Sequence, residues 1–584
     1  MLIFWDHKSF QMIFSTLDWW VLGLTLLSII AYGVYKSRTS KNLEGFFLGD
    51  RQMPWWVVLL SIMGTQASAV TFLTAPGQAY TDGMRFVQYY FGLPIAMVII
   101  SITLVPVFHR LKVFTAYEYL ETRFDLKTRT LTSFLFLLSR GVSTGISVIA
   151  PSIVLHSLLG WNFYLTNIAM GGLLIIYTTT GGAKAVAYTQ QIQFLIIYIA
   201  MFLVCWYAID LLPEGVSWSD ALHLGGKAGK MNILTSGIDD SGKFNWNDRY
   251  NIWSGVIGGL FLSLSYFGTD QSQVGRYLTA RSEGESKLGL LLNGLVKVPL
   301  QFFILLIGVF IFAYYQFYPT PLFFDQSRER EVLSSTSAPA YNKLIQANEA
   351  LQLKKTATAL ALSDAIHLQN QPKIDQLRNQ IVQNEATGKS IRKEVETLIK
   401  KAVPGADAKD TNYIFLHFAT GVLPKGLIGL VIAIIFLAAW GSIAAALNAL
   451  ASCTMVDFHN KFSKKKLSEE QAYRWSKLYT IAWGLFSIVI SLFAYNLGNS
   501  LIEAVNILGS WFYGTILGIF LVAFYMKKIE GTAVFWSAVA AEFLVISIYF
   551  MNVISFLWLN VIGAIAVMLF AWVLQKCFPQ KSKT

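Results

Sequence analysis

Residues Pro54 to Tyr80 read PWWVVLLSIMGTQASAVTFLTAPGQAY. The stretch is long and apolar enough to cross a bilayer, and no charge lies between Arg51 and Asp82. Its middle, Gly64-Thr65-Gln66-Ala67-Ser68-Ala69, is small and polar. A helix facing lipid along its whole length has no use for Gly, Thr, Gln and Ser at mid-depth. Two readings fit. A helix that unwinds there frees carbonyls, which must then line a cavity or hold an ion. Small residues also let one helix pack closely on another. This stretch alone leaves both open.

Composition supports the membrane reading. The 584 residues are 54% hydrophobic, 15% aromatic and only 14% charged, where a soluble domain carries roughly a quarter charged residues. The net charge of +12 is therefore read first as membrane topology. Cys205, Cys453 and Cys577 are far apart and form no disulfide framework or CxxC site. No P-loop, GxSxG elbow or HExxH motif occurs, so the sequence offers no support for an enzyme.

Thirteen apolar segments follow in order: 17–35, 55–80, 86–108, 131–159, 163–178, 187–211, 252–267, 288–317, 421–455, 478–495, 501–526, 533–550 and 554–574. The N-terminal tail lacks the pattern of a cleaved signal peptide. Loops after the odd-numbered spans, with the C-terminal tail, hold 24 Lys and Arg; the short loops and tail on the other face hold 6. The positive-inside rule then places the N-terminus outside and the C-terminus in the cytoplasm. The same rule puts the long loop Tyr318–Ala419 outside. Within it, two helical stretches at 339–368 and 373–403 flank an Asn370-Gln371-Pro372 turn and predict a helical hairpin. This hairpin reads as a docking site for a protein partner, as a lid over an outer vestibule, or as a solvated insertion with no transport role. No Asn-x-Ser/Thr sequon falls in an outer loop, which leans toward a bacterial inner membrane.

A second interrupted span appears five spans after the first. IWSGVIGGLFLSLSYFGTDQSQVGRYL, from Ile252, carries Gly258-Gly259 and then Gly268-Thr269-Asp270-Gln271. Breaks at matching positions in two halves are the mark of inverted-repeat transporters. The repeats would be spans 2–6 and 7–11. The chain then divides into 1–53 (tail, first span and loop), 54–211 (first repeat), 212–251 (outer loop) and 252–317 (spans 7–8). After these come 318–419 (hairpin insertion), 420–526 (spans 9–11) and 527–584 (spans 12–13 and tail).

Three motifs now carry a resemblance. Gly181-Gly182-Ala-Lys-Ala-Val186 is similar to the GGxxAV signature of the sodium/solute symporter family, the group that includes the sodium/glucose cotransporters. Gly268-Thr-Asp-Gln271 with Val274-Gly-Arg-Tyr-Leu278 resembles its GTNQ…VQRYL element, and Leu447-Asn448-Ala-Leu-Ala-Ser452 resembles its LNSLAS run. The likeness spans all thirteen segments apart from the hairpin. It implies an all-α membrane protein of LeuT type, a 5+5 inverted repeat broken at spans 2 and 7. It further implies import of a small polar solute by alternating access, with Na+ as coupling ion and no cofactor.

Carried over from the family, the sodium carbonyls fall on Gly64, Ala67 and Ala438, and the hydroxyl pair on Gly441 and Ser442. Gly441 offers no hydroxyl. Gln190 stands on the ion route where many members have Asp. These two departures keep open sodium-independent transport, proton coupling and facilitated diffusion. The substrate positions are Gln66, Thr71, Tyr89, Tyr90, Asp270, Gln271, Lys297 and Asn506. Lys297 matches the family's sugar carriers, but Tyr90 stands where they have Glu and so removes the best hydroxyl acceptor. Asp270 and Lys297 would bracket a charged solute, or pair with each other or with the intramembrane Arg140. A transporter-like sensor is the alternative class. The sequence does not name the solute.

Overall fold

The computed structural model describes residues 14–36, 42–239, 241–403, 408–464, 466–494 and 501–577. The sequence readings of the tails at 1–13 and 578–584, and of the end of the tenth span at 495, lie outside the described residues. Among the described residues the chain is all-helical, with two isolated bridges and no strand. Ten helices are long and apolar enough to cross a bilayer, and a bent pair of helices adds an eleventh span.

Helix α1 covers Thr16–Lys36. The bent pair is the quoted stretch, α2 Trp55–Gln66 and α3 Ala69–Asp82, turned by 60° at the break. Ala67 N still donates to Met63 O at 2.8 Å, but Ser68 N turns aside to Gln66 O at 2.8 Å. The carbonyl of Gly64 thereby loses its helical donor. Of the two sequence readings, the broken helix is the one the backbone adopts.

A 3-10 turn at Met84–Tyr90 leads into α4, Leu93–Leu111, and α5 follows at Leu126–Leu159. The expected fifth and sixth spans are one 48-residue helix, α6 Phe163–Asp210, broken in direction at Gly182 (φ 60°, ψ −177°). Only glycine enters that conformation without strain. At 1.5 Å per residue the helix would run about 70 Å, far beyond one bilayer; it holds one candidate span, Gly182–Asp210, preceded by a shorter apolar helix, Phe163–Thr179. Next come α7 Trp218–Lys227, α8 Gly259–Gly268 and α9 Gln271–Tyr277. The second break lies between α8 and α9, where the Tyr117 hydroxyl donates to the freed carbonyl of Thr269 at 2.8 Å.

Helix α10, Glu283–Phe317, precedes the hairpin of α11 Ala338–His367 and α12 Gln371–Ala402. The ninth span begins later than expected: Ile414–Val422 is a separate short helix, and the span itself is α13, Leu427–Cys453. α13 is buried along almost its whole length and packs against α1, α5 and α6. The chain ends with α14 Glu469–Phe493, α15 Leu501–Tyr525, α16 Gly531–Met551 and α17 Phe556–Cys577.

The hairpin is not a free-standing solvated insertion. Ala359, Leu362, Ile374, Leu377 and Ile381 join the main core, and Tyr341, Leu351, Ile391 and Val395 close a second core on Leu322 and Phe323. Its polar groups cap α10. Gln352 Nε2 donates to the carbonyls of Tyr315 and Gln316 at 3.1 and 3.2 Å, and Thr356 Oγ1 donates to Gln316 O at 3.0 Å. These are among the last carbonyls of a helix, which have no intrahelical donor.

Candidate functional site

The first break faces a cavity that α8 also lines, through Leu262, Ser263, Tyr266 and Phe267. Its wall takes Gln66 and Thr71 from either side of the first break, Tyr89 and Tyr90, Lys297 of α10, and Asn506 of α15. Six of the eight sequence-derived substrate positions therefore meet in one place. Gln66 Nε2 donates to Asn293 Oδ1 at 3.2 Å, and the Tyr89 hydroxyl donates to Asn506 Oδ1 at 3.2 Å.

Asp270 and Gln271 do not line the cavity. Asp270 is the N-cap of α9: one carboxylate oxygen accepts from Ser272 N (2.8 Å) and Ser272 Oγ (2.6 Å). The other accepts from the Tyr513 hydroxyl at 2.9 Å and lies 3.8 Å from Arg140 Nη1. Gln271 turns away to pin a loop, accepting from Ala116 N at 3.0 Å and donating to Phe114 O at 2.8 Å. Residues next to a helix break are spent on its free backbone groups, which sequence spacing cannot foresee.

The cations divide unequally. Arg140 lines the cavity with Asp270 as its counter-charge. Lys297 is 4% exposed, and among the described residues its ammonium makes no ion pair or hydrogen bond; it lies 5.5 Å from the Tyr90 ring centroid. The bracket expected from Asp270 and Lys297 is thus an Arg140–Asp270 pair with Lys297 left over. An unpaired buried ammonium beside a cavity costs free energy unless the cavity brings the anion.

Sequence reasoning missed Tyr266 and Tyr513, for which no signal existed, and Ser143, Thr144 and Ser147 on α5. The last three stand 3, 4 and 7 residues after Arg140. That is a helical polar stripe inside an apolar span, and it was legible.

Beside the cavity lie the positions carried over for sodium. Thr65, Gln66, Ser68 and Ser442 all line its wall, so the first break and α13 face each other there. Ser442 Oγ donates to Ala438 O at 2.9 Å. Gln190 of α6 enters between the two helices. Its Oε1 accepts from Ser61 Oγ at 2.8 Å, and its Nε2 donates to Thr65 Oγ1 at 3.2 Å and to Gly441 O at 3.0 Å. Both glycines are small because of α6. A Cβ on Gly64 would meet Gln190 Cβ at 2.9 Å, and one on Gly441 would meet Gln193 Oε1 at 2.8 Å.

Comparison with known proteins identifies the family. The family model described as Sodium:solute symporter family matches residues 46–347 and 394–540. The sodium/sialic acid symporter SiaT of Proteus mirabilis is 24% identical over 95% of this chain and 94% of its own. The human sodium/iodide cotransporter is 30% identical over 48% of this chain and 43% of its own. A solved structure of a Na+-coupled sialic acid symporter, substrate-bound and outward-open, shares the fold with a TM-score of 0.74 at 23% identity, covering 98% of this chain and 100% of that one. A bundle of apolar helices, broken where a cavity opens between them, is thus matched along nearly its whole length by sodium-coupled carriers, and the chain belongs to the sodium:solute symporter family as a multi-pass membrane symporter that couples solute movement to Na+ and is not an enzyme.

Proposed function

We propose that this symporter carries a small anionic solute, best a carboxylate, seated between Lys297 and the Arg140 edge of the cavity. The observation that carries the reading is the Lys297 ammonium, buried at the cavity wall with no acid beside it among the described residues. Gln66, Thr71, Tyr89, Tyr90 and Asn506 supply the polar contacts that orient the rest of the solute. A neutral sugar would leave the lysine charge uncompensated. Sialic acid and iodide, which give two relatives their names, both carry the negative charge this cavity lacks.

Sodium is assigned to the carbonyls of Gly64, Ala67 and Ala438 and to the hydroxyl of Ser442. Gly441 contributes only backbone, and Gln190 acts as a neutral brace. The fold reading is thirteen spans in a LeuT-type 5+5 inverted repeat. The bent pair, the kink at Gly182 and the shorter apolar helices at 163–179 and 254–268 support it. The charge asymmetry supports the N-terminus outside and the hairpin on the outer face, and the lack of an outer-loop sequon supports a bacterial inner membrane.

The test is uptake into proteoliposomes of labelled N-acetylneuraminate, short monocarboxylates, iodide and a neutral hexose, with and without a sodium gradient. One or more anions should accumulate only with sodium, and Lys297→Ala should lose at least about tenfold in uptake with its melting temperature unchanged. Accumulation of the hexose alone, or full anion uptake by Lys297→Ala, would refute the anion reading.

A further inference from the structure

A second cavity lies at the hairpin end of the bundle, in line with the first. Arg85 and Glu503 belong to its wall. Four residues past Arg85 and three past Glu503, Tyr89 and Asn506 belong to the wall of the deeper cavity. The two chambers are thus one helical turn apart, roughly 5 to 8 Å. The septum between them is aromatic: Phe86 stacks on Tyr89 at 5.6 Å and meets Tyr250 edge-on at 5.1 Å, and the Tyr89–Asn506 hydrogen bond closes it.

The outer chamber is lined by charge. Arg85 pairs with Asp248, and Arg249 with Glu503 at 2.8 Å. Those pairs leave Lys230, Lys389 and Asp82, an excess of one positive charge. Lys230 is 6% exposed, donates to Thr81 O at 2.6 Å and lies 5.0 Å from the Phe312 ring centroid. Burial lowers its pKa to about 8, which keeps it mainly charged at neutral pH. Lys389 comes from α12 of the hairpin and, among the described residues, forms no ion pair.

We propose that this chamber is an anion-collecting access site on the solute's path, and that the hairpin takes part in transport by supplying Lys389 to its wall. The path role rests on the anion reading of the deeper cavity; the binding role does not. Two chambers with the same sign of excess, separated by one aromatic layer, favour stepwise descent of an anion. The field of the two lysines raises the local anion concentration.

The test places a cysteine at Asn247, an exposed residue of the chamber wall, with the exposed Cys577 replaced by serine. Its modification rates by anionic methanethiosulfonate ethylsulfonate and by the cationic trimethylammonium analogue are compared with those of free cysteine. The sulfonate preference should exceed that of free cysteine by several-fold, fall about threefold to tenfold in Lys389→Glu, and survive in Lys389→Arg. A preference equal to that of free cysteine, or one unmoved by Lys389→Glu, overturns the binding role. This assay needs no transported solute, so its failure is distinguishable from failure of the Lys297 reading. With the anion that the proteoliposome screen identifies, Lys389→Glu should lower the initial uptake rate several-fold at limiting solute and leave the saturating rate unchanged. A responsive reagent ratio with unchanged uptake at limiting solute overturns the path role.

Discussion

Gln190 Nε2 donates to the main-chain carbonyl of Gly441 at 3.0 Å, tying α6 to α13 across the helix break of the second span. With the bonds to Thr65 and Ser61, one neutral side chain holds three helices around the positions assigned to sodium. Gln190→Ala removes three buried hydrogen bonds, each worth about 1 kcal/mol, and strands the Gly441 carbonyl. The sodium concentration for half-maximal uptake should rise about tenfold or more. A sodium titration of initial rates that does not move would place the ion elsewhere.

Gly441 looks from sequence like a lost ligand that serine would restore. The packing says otherwise. A Cβ there meets Gln193 Oε1, the far end of a flexible side chain, at 2.8 Å and Gln190 Cγ at 3.3 Å, so Gly441→Ser should cost no more than about 1 kcal/mol, the low end of overpacking, and should not tighten sodium activation. Adding Gln193→Ala to Gly441→Ser should recover part of the lost melting temperature. Ser442→Ala has no such clash and should weaken sodium activation several-fold.

Arg140 and Asp270 neutralise each other beneath the cavity. Asp270→Asn leaves Arg140 as a second uncompensated cation at the wall and should cost about 3–5 kcal/mol of stability. Arg140→Met with Asp270→Asn removes both charges and should restore folding by thermal denaturation. Uptake should stay low in the double variant, because Arg140 also lines the cavity.

The hairpin bears on stability as well as on the outer chamber. Arg392 of α12 pairs with Asp410 and lies 5.2 Å from the ring centroid of Phe324, whose backbone N–H Asp410 also accepts at 2.7 Å. Replacing residues 339–403 by a flexible linker exposes Leu322, Phe323 and Val332 and strips the caps from α10. The melting temperature should fall by several degrees. A deletion variant as stable as the parent would show that the hairpin packing is energetically idle.

Lys230 sets a pH response. Its folded pKa of about 8 lies below the ordinary 10.5 because burial disfavours the ammonium, a cost that Glu385 and Asp82 only partly offset and that Lys389 and Lys355 increase. Between those two values the unfolded chain binds more protons, so this group's contribution to stability rises with pH. The charge of the outer chamber meanwhile falls as pH passes about 8. The sulfonate preference measured at Asn247→Cys should drop between pH 7 and 9, and Lys230→Met should flatten that drop.

What the sequence determined by itself is whatever depends on local composition and period. The apolar runs make the chain an all-helical, multi-pass membrane protein, because lipid demands about 20 apolar residues of each crossing helix. Gly64 to Ser68 narrows the second span to a break or a close helix contact, because polar residues at that depth must face a cavity or another helix. The motifs at Gly182, Asp270 and Asn448 name the family. The tertiary structure alone decided how charges and small residues are partnered. Asp270 and Lys297 look equivalent as intramembrane charges, yet one is consumed by Arg140, Tyr513 and a helix cap, while the other faces the cavity without an ion-pair partner among the described residues. Gly441 reads as a missing hydroxyl until Gln193 is seen in the space a side chain would need. Lys389 looks like one surface lysine among many until the hairpin folds it into the wall of the outer chamber. Partnering depends on contacts between residues as far apart as Gln190 and Gly441, which no local pattern encodes.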